Sequence, residues 1–166
     1  MTIEAARGDI TVESVDAIVN AANGALLRGG GVCGAIFAAA GPELDTACAA
    51  IGSCATGDAV ITPGFRLTAR WIVHTVGPVW HGGEGGEAEQ LASCYRRSIE
   101  VARGAGVASI AFPAISTGIF GYPPRAAAEI AVAPVLEHGD ELERVRLVAF
   151  DEATFTTYRE LLAAQA

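Results

Sequence analysis

Short apolar runs rich in β-branched residues alternate along this chain with stretches of helical periodicity, and that alternation restricts the fold more than any other feature. The runs cover residues 3–6, 17–20, 59–62, 71–76, 109–113 and 146–150. Most are continuously apolar rather than alternating, so the strands they form are buried on both faces and need helices above and below. A three-layer α/β/α architecture follows. Between the runs, Leu91, Tyr95, Ile99 and Ala102 recur at helical spacing within residues 87–103, with Glu89, Arg96, Arg97 and Glu100 on the opposite side. After Asp151, a residue suited to an N-cap, Phe155, Tyr158 and Leu162 fall on one stripe. A further helix starts near Pro124, and Pro134 inside its pattern is expected to kink it or end it early. Residues 81–86, His-Gly-Gly-Glu-Gly-Gly, read as an exposed loop. At 166 residues the chain is expected to form a single domain over 1–166.

All 11 basic residues are arginine. A chain without lysine has no Walker-type phosphate loop and no Schiff-base amine. Against 19 acidic residues the net charge is -8, which argues against a nucleic acid polymer as partner. Neither a leader-like N-terminus nor a long apolar span is visible, so no membrane association and a cytoplasmic location are expected. Cys33, Cys48, Cys54 and Cys94 form no C-x-x-C pair and have no histidine at zinc-ligand spacing, so they read as reduced and mostly buried thiols, with no metal.

Two glycine-containing segments stand where open α/β sheets place their ligand crevice, after strands. The first runs from Asn20 to Gly34 and contains Gly29-Gly30-Gly31 ahead of a small-residue helix. Glycines there let the backbone approach a ligand and aim free N–H groups at an anion, most naturally a phosphate; a flexible loop is the competing reading. The second, Pro113 to Pro123, offers hydroxyls, backbone donors and the aromatics Phe120 and Tyr122 before entering a helix. Together they can enclose a diphosphate without a cationic side chain. Gly29, Gly31 and Gly34 also fit G-x-G-x-x-G, but residues 21–28 separate them from the strand, which a dinucleotide-binding turn does not allow. There is no G-x-S-x-G elbow, and His74 in an apolar strand reads as structural.

Gly8-Asp9-Ile10-Thr11, the run Ile18-Val19-Asn20-Ala21-Ala22-Asn23 with its glycine triplet, His74-Thr75-Val76-Gly77-Pro78-Val79-Trp80, and Ser116-Thr117-Gly118-Ile119-Phe120-Gly121-Tyr122-Pro123 together resemble a macro domain of the MacroD type. The resemblance covers nearly the whole chain. It implies a mixed central sheet of about six strands between helices. It implies ADP-ribose, free or attached to a protein side chain or an acetyl group, as ligand, an ADP-ribosylated protein as partner, and no cofactor.

Carried over by position, the resemblance gives Asp9 the adenine amino group, with the Ile10 backbone beside it. Phe150 would stack on adenine, or else pack in the core. Asn20 would stabilise its loop, and Asn23 would contact the distal ribose. Gly30, Gly31 and Val32 would line the diphosphate and ribose, with Ser116, Thr117, Gly118 and Ile119 closing from the other side and Phe120 orienting the ribose. Hydrolytic relatives usually read Gly-Gly-Gly-Val-Asp-Gly-Ala-Ile-His, whereas here Cys33 holds the Asp position and Phe37 the His position. Loss of that carboxylate removes the group thought to orient the attacking water. Asn23 and Cys33 are the candidate catalytic residues, Cys33 as nucleophile or as a bystander beside a phosphate-activated water. The expected activity is hydrolysis of ester-linked ADP-ribose, with a non-catalytic reader as the alternative.

Overall fold

The computed structural model of the chain describes residues 1–165. Its sheet contains β1 (Thr2–Arg7), β2 (Ala17–Ala21), β3 (Ala59–Pro63), β4 (Trp71–Thr75), β5 (Ser109–Phe112) and β6 (Arg144–Ala149). The strands lie in the order β1-β6-β5-β2-β4-β3. The neighbours from β1 across to β4 run parallel, and only β3, at the far edge, runs antiparallel to its partner β4. This is the mixed sheet of six strands that the resemblance implied.

The alternation of side chains along each strand splits the core in two. Ala17, Val19, Val73, Ile110, Phe112, Val145 and Leu147 face one layer, formed by α3 (Glu87–Gly104), α4 (Pro124–His138) and α5 (Glu152–Ala163). Ile18, Ile72, Ala111 and Val148 face the other, formed by α1 (Gly31–Ala40) and α2 (Glu43–Ile51). Burial on both faces is what the continuous apolar runs encoded. The stripe of α3 is buried as its spacing required, and Asp151 Oδ1 accepts the Thr154 N–H at 2.7 Å at the start of α5.

Pro134 does not end α4, which continues to His138. A proline this near the C-terminus removes one bond, to the Ile130 carbonyl, and its buried ring packs in the core, so one more turn forms. The 81–86 loop is pinned from below. Glu87, 2% exposed, accepts N–H groups from His81 (3.1 Å), Gly83 (2.7 Å) and Gly85 (2.6 Å). Burial raises its carboxyl pKa, but these bonds outweigh it and the group lies below the usual carboxylate range. Among the described residues no helix is long and apolar enough to cross a membrane.

Candidate functional site

Because β1, β6, β5 and β2 are parallel, the segments that follow them all emerge at one edge of the sheet. After β2, Asn23 closes a tight loop on itself. Its Oδ1 accepts the Leu27 N–H at 2.9 Å, and its Nδ2 donates to the Leu27 carbonyl at 2.7 Å. Leu26, at φ +56, turns its side chain into the core beneath. The chain then reaches Gly30, the N-cap of α1, and Gly31 at φ +57, a conformation that favours glycine. Gly34 lets the helix settle against this loop, since a Cβ there would lie 2.5 Å from the Gly29 carbonyl oxygen. The first helical bond outside this turn is Gly34 N–H to the Gly30 carbonyl, so the N–H groups of Gly31, Val32 and Cys33 find no acceptor among the described residues.

The segment after β5 is built to the same end. Ser116 sits at φ +68, strained for a residue with a side chain, and its buried hydroxyl donates to the Pro78 carbonyl at 2.8 Å. Gly77 permits this approach, because a Cβ there would collide with the Ser116 hydroxyl. Tyr122 N–H bonds the Ser116 carbonyl, and Trp80 N–H bonds the Phe120 carbonyl, tying the loop to the strand-end segment after β4. Trp80 and Tyr122 rings back it at 4.6 Å. The N–H groups of Gly118, Ile119 and Phe120 have no acceptor among the described residues.

Both sets of free donors border one cavity of about 240 Å³. The loops nearly meet over it, since Ile119 Cδ1 lies 3.8 Å from where a Gly30 Cβ would be. Asn23 Nδ2 and Cys33 Sγ flank Gly29, each 3.6 Å from its would-be Cβ. Among the described residues no arginine lines the cavity, and Arg28 beside the triplet is turned to Asp45 (3.0 Å) and lies over the Phe37 ring (5.6 Å). Backbone dipoles are therefore the site's positive potential. A shallower depression of about 610 Å³ near Arg103 and Glu141 holds an ion pair and neither loop.

Of the expected site residues, Asn23, Gly30, Gly31, Val32, Cys33, Ser116, Gly118, Ile119 and Phe120 are brought together here. Thr117 is not: its hydroxyl donates back to the Ala114 carbonyl at 2.8 Å. Asp9, Ile10 and Phe150 lie outside the cavity at the adjoining ends of β1 and β6, joined by the Gly8 N–H to the Ala149 carbonyl. Phe150 is 91% exposed, so it is not a core residue. Ile10 is buried and offers only its backbone. Asp9 Oδ1 accepts the Thr11 hydroxyl (2.7 Å) and N–H (2.9 Å), which hold its carboxyl below the usual range. Its Oδ2 has no partner among the described residues. Gly29 of the triplet lines the cavity too, as do Ala21, Ala22, Gly77, Ala114 and Ile115, which sequence reasoning did not single out. Gly77 lay within a noted motif, but its need for a bare backbone is visible only once Ser116 is beside it.

A family model described as Macro domain matches residues 19–131. The chain belongs to the macro domain family. A macro domain-containing protein of Ralstonia nicotianae is 55% identical over 162 residues, covering 98% of this chain and 95% of that protein. A Klebsiella pneumoniae protein named O-acetyl-ADP-ribose deacetylase is 54% identical, covering 95% of this chain and 94% of its own length. Among solved structures, the Oceanobacillus iheyensis macrodomain with ADP superposes with a TM-score of 0.90 at 44% identity, covering 95% of this chain and 88% of that one. The Trypanosoma brucei macrodomain in complex with ADP-ribose gives 0.89 at 40% identity, covering 96% of this macro domain and 68% of that chain.

Proposed function

We propose that this macro domain binds ADP-ribose and hydrolyses ester-linked ADP-ribose, on acidic side chains of proteins or as O-acetyl-ADP-ribose. The observation that carries this reading is the pair of loops whose unpaired N–H groups converge on one cavity. Such donors suit a diphosphate in an acidic protein that offers no cation there. At about 240 Å³ the cavity is below the ~300–1,000 Å³ typical of sites for whole drug-sized ligands, which suits the diphosphate and distal ribose, with adenosine lying outside. In this reading adenine lies toward the β1 and β6 ends, where Asp9 Oδ2 would accept its amino group and the exposed Phe150 ring would stack. A carboxylate selects adenine, which donates at that position, over guanine, which accepts. The ADP-ribose-bound relative supports the ligand, and the deacetylase name of another relative supports the reaction.

In this mechanism the free N–H groups fix the diphosphate, and Asn23 orients the distal ribose. Its amide is half used in closing the loop, so one N–H and one lone pair remain for ribose or water. Water attacks the ester carbonyl and gives one proton to the ligand's own phosphate; the bond from the carbonyl carbon to the ribose oxygen then breaks, the phosphate passes that proton to the ribose oxygen, which leaves as the hydroxyl, and the acyl group departs as the carboxylic acid. Positioning supplies most of the acceleration, and Cys33 stands by. The carboxylate missing at position 33 is the specific observation favouring a non-catalytic reader. Single-turnover hydrolysis of an ester-linked ADP-ribosylated protein separates the two, using parent, Cys33→Ala and Cys33→Asp with affinity measured alongside. Activity in the parent that survives Cys33→Ala and rises roughly tenfold in Cys33→Asp is expected, the gain typical of a well-placed general base. Binding without turnover in parent and Cys33→Ala would make the domain a reader. Loss of turnover in Cys33→Ala alone would make the thiol catalytic.

A further inference from the structure

Beneath the first glycine loop runs a row of polar side chains that neither core packing nor ligand contact explains. Asn20 on β2, His74 on β4 and Thr62 on β3 are 0%, 0% and 2% exposed, on a face otherwise filled by Ile18, Ile36 and Ile72. Asn20 and His74 are register partners on neighbouring strands. Buried polar groups are tolerated only when paired, and here the pairing has a direction set from one end. The Thr62 hydroxyl donates to the Pro63 carbonyl at 3.1 Å, an atom that can only accept. With its hydrogen there, its oxygen accepts from His74 Nε2, 2.9 Å away, a ring nitrogen that Cys48 Sγ also approaches at 3.9 Å. Burial pushes His74 down to about 4, so at neutral pH the ring has a single proton, on Nε2. Nδ1 is left as an acceptor, and it lies 3.0 Å from Asn20 Nδ2. The amide nitrogen, not its oxygen, therefore faces the ring, and the second hydrogen of that nitrogen is free for Cys33 Sγ at 3.8 Å. Among the described residues Asn20 Oδ1 has no partner, a cost that an asparagine kept for packing alone would not justify.

We propose that Asn20, oriented by His74, is a positioning residue for the side chain at position 33, presenting to it an N–H whose direction is fixed by the bonds running back to Pro63. This deepens the reading of the cavity as an ADP-ribose site and rests on it for its functional meaning. The same N–H serves a sulfur here and would serve a carboxylate in Cys33→Asp, so the wall of the cavity is prepared for an acceptor at this point.

The test begins on the unaltered protein, with nitrogen-resolved NMR of the His74 ring at pH 7. The expected state is Nε2–H with Nδ1 unprotonated; an Nδ1–H ring would reverse the row and overturn the proposal. The second measurement is the rate at which iodoacetamide alkylates Cys33 at pH 7.5, mapped by peptide mass spectrometry in the parent, Asn20→Leu, His74→Phe and His74→Gln. An N–H aimed at the sulfur stabilises the thiolate, so Asn20→Leu and His74→Phe are expected to slow alkylation about fivefold. His74→Gln, which can still accept from Asn20 and donate to Thr62, is expected to keep the parent rate. A merely structural role predicts the opposite sign, because a loosened core exposes the thiol and speeds the reaction. Unchanged or faster alkylation in Asn20→Leu would overturn the proposal, and if that variant does not fold, the His74 pair and the ring measurement decide. Absence of ADP-ribose binding with these results intact would refute only the reading of the cavity.

Discussion

His74 makes acid sensitivity a quantitative matter. Its folded pKa is about 4 against an ordinary value of 6.5, with burial as the cause. The unfolded chain therefore binds a proton at this position first as pH falls. Stability owed to the neutral ring is fully present above pH 6.5 and is lost progressively as pH drops toward 4. At 1.36 kcal/mol per pKa unit, the loss is about 2 kcal/mol by pH 5 and about 3 kcal/mol below pH 4. Asp9, Asp58 and Asp151 have lowered pKa values, so their contributions persist at pH 5 and fall away only at more acid values. Urea unfolding at intervals from pH 8 to pH 5 isolates the histidine, with His74→Gln as the non-titrating comparison. The parent is expected to lose about 2 kcal/mol more than His74→Gln over that range, or roughly 4–8 °C in melting temperature for a chain of this size. Parallel curves for the two proteins would refute the reasoning, since they would mean that the ring at the centre of the row is hydrated or already charged.

Asp9→Ala is expected to weaken ADP-ribose binding by about 1–3 kcal/mol in calorimetry, the range for a lost charge-assisted hydrogen bond. Stability should fall by only about 1 kcal/mol from the lost cap on Thr11, and unchanged affinity would reduce Asp9 to that cap. Gly34→Ala drives a methyl group to 2.5 Å from the Gly29 carbonyl, which is backbone and cannot swing aside. It is expected to cost about 1–3 kcal/mol in denaturant unfolding and to weaken ADP-ribose further by lifting the first loop from α1.

The central strands β2, β4, β5 and β6 could be read from the sequence because burial on both faces leaves continuous apolar runs, the half-buried edge strands β1 and β3 as short apolar runs between other patterns, and α3 and α5 because one-sided burial leaves a stripe. The helix α2 was missed. Glu43–Ile51 is short and mixes Ala, Cys, Thr and Asp, so its two buried residues, Leu44 and Cys48, make no legible pattern. The direction of β3 also left no trace, since an edge strand of five residues has the same composition either way. In the site, glycines and hydroxyls marked both loops, while the carrier of their chemistry, N–H groups without acceptors, belongs to no residue type. Phe150 could be read as stacking on adenine or as packing in the core until β6, ending at Ala149, left it exposed and ruled out the core. His74 was legible as structural, but the direction of its hydrogen bonds depended on Thr62 and Asn20, each from a different strand.

The central claim is that two loops from separate strands grip one diphosphate and the ribose beyond it. Titration calorimetry of the unaltered protein with ADP-ribose and with AMP tests it most directly. AMP keeps adenine, one ribose and one phosphate, and lacks the second phosphate and the distal ribose that the proposal assigns to the free N–H groups of Gly31–Cys33 and Gly118–Phe120. Markedly tighter binding of ADP-ribose is expected, by about 3 kcal/mol or more from the lost hydrogen bonds to charged oxygens. Equal affinity for the two ligands would contradict the account.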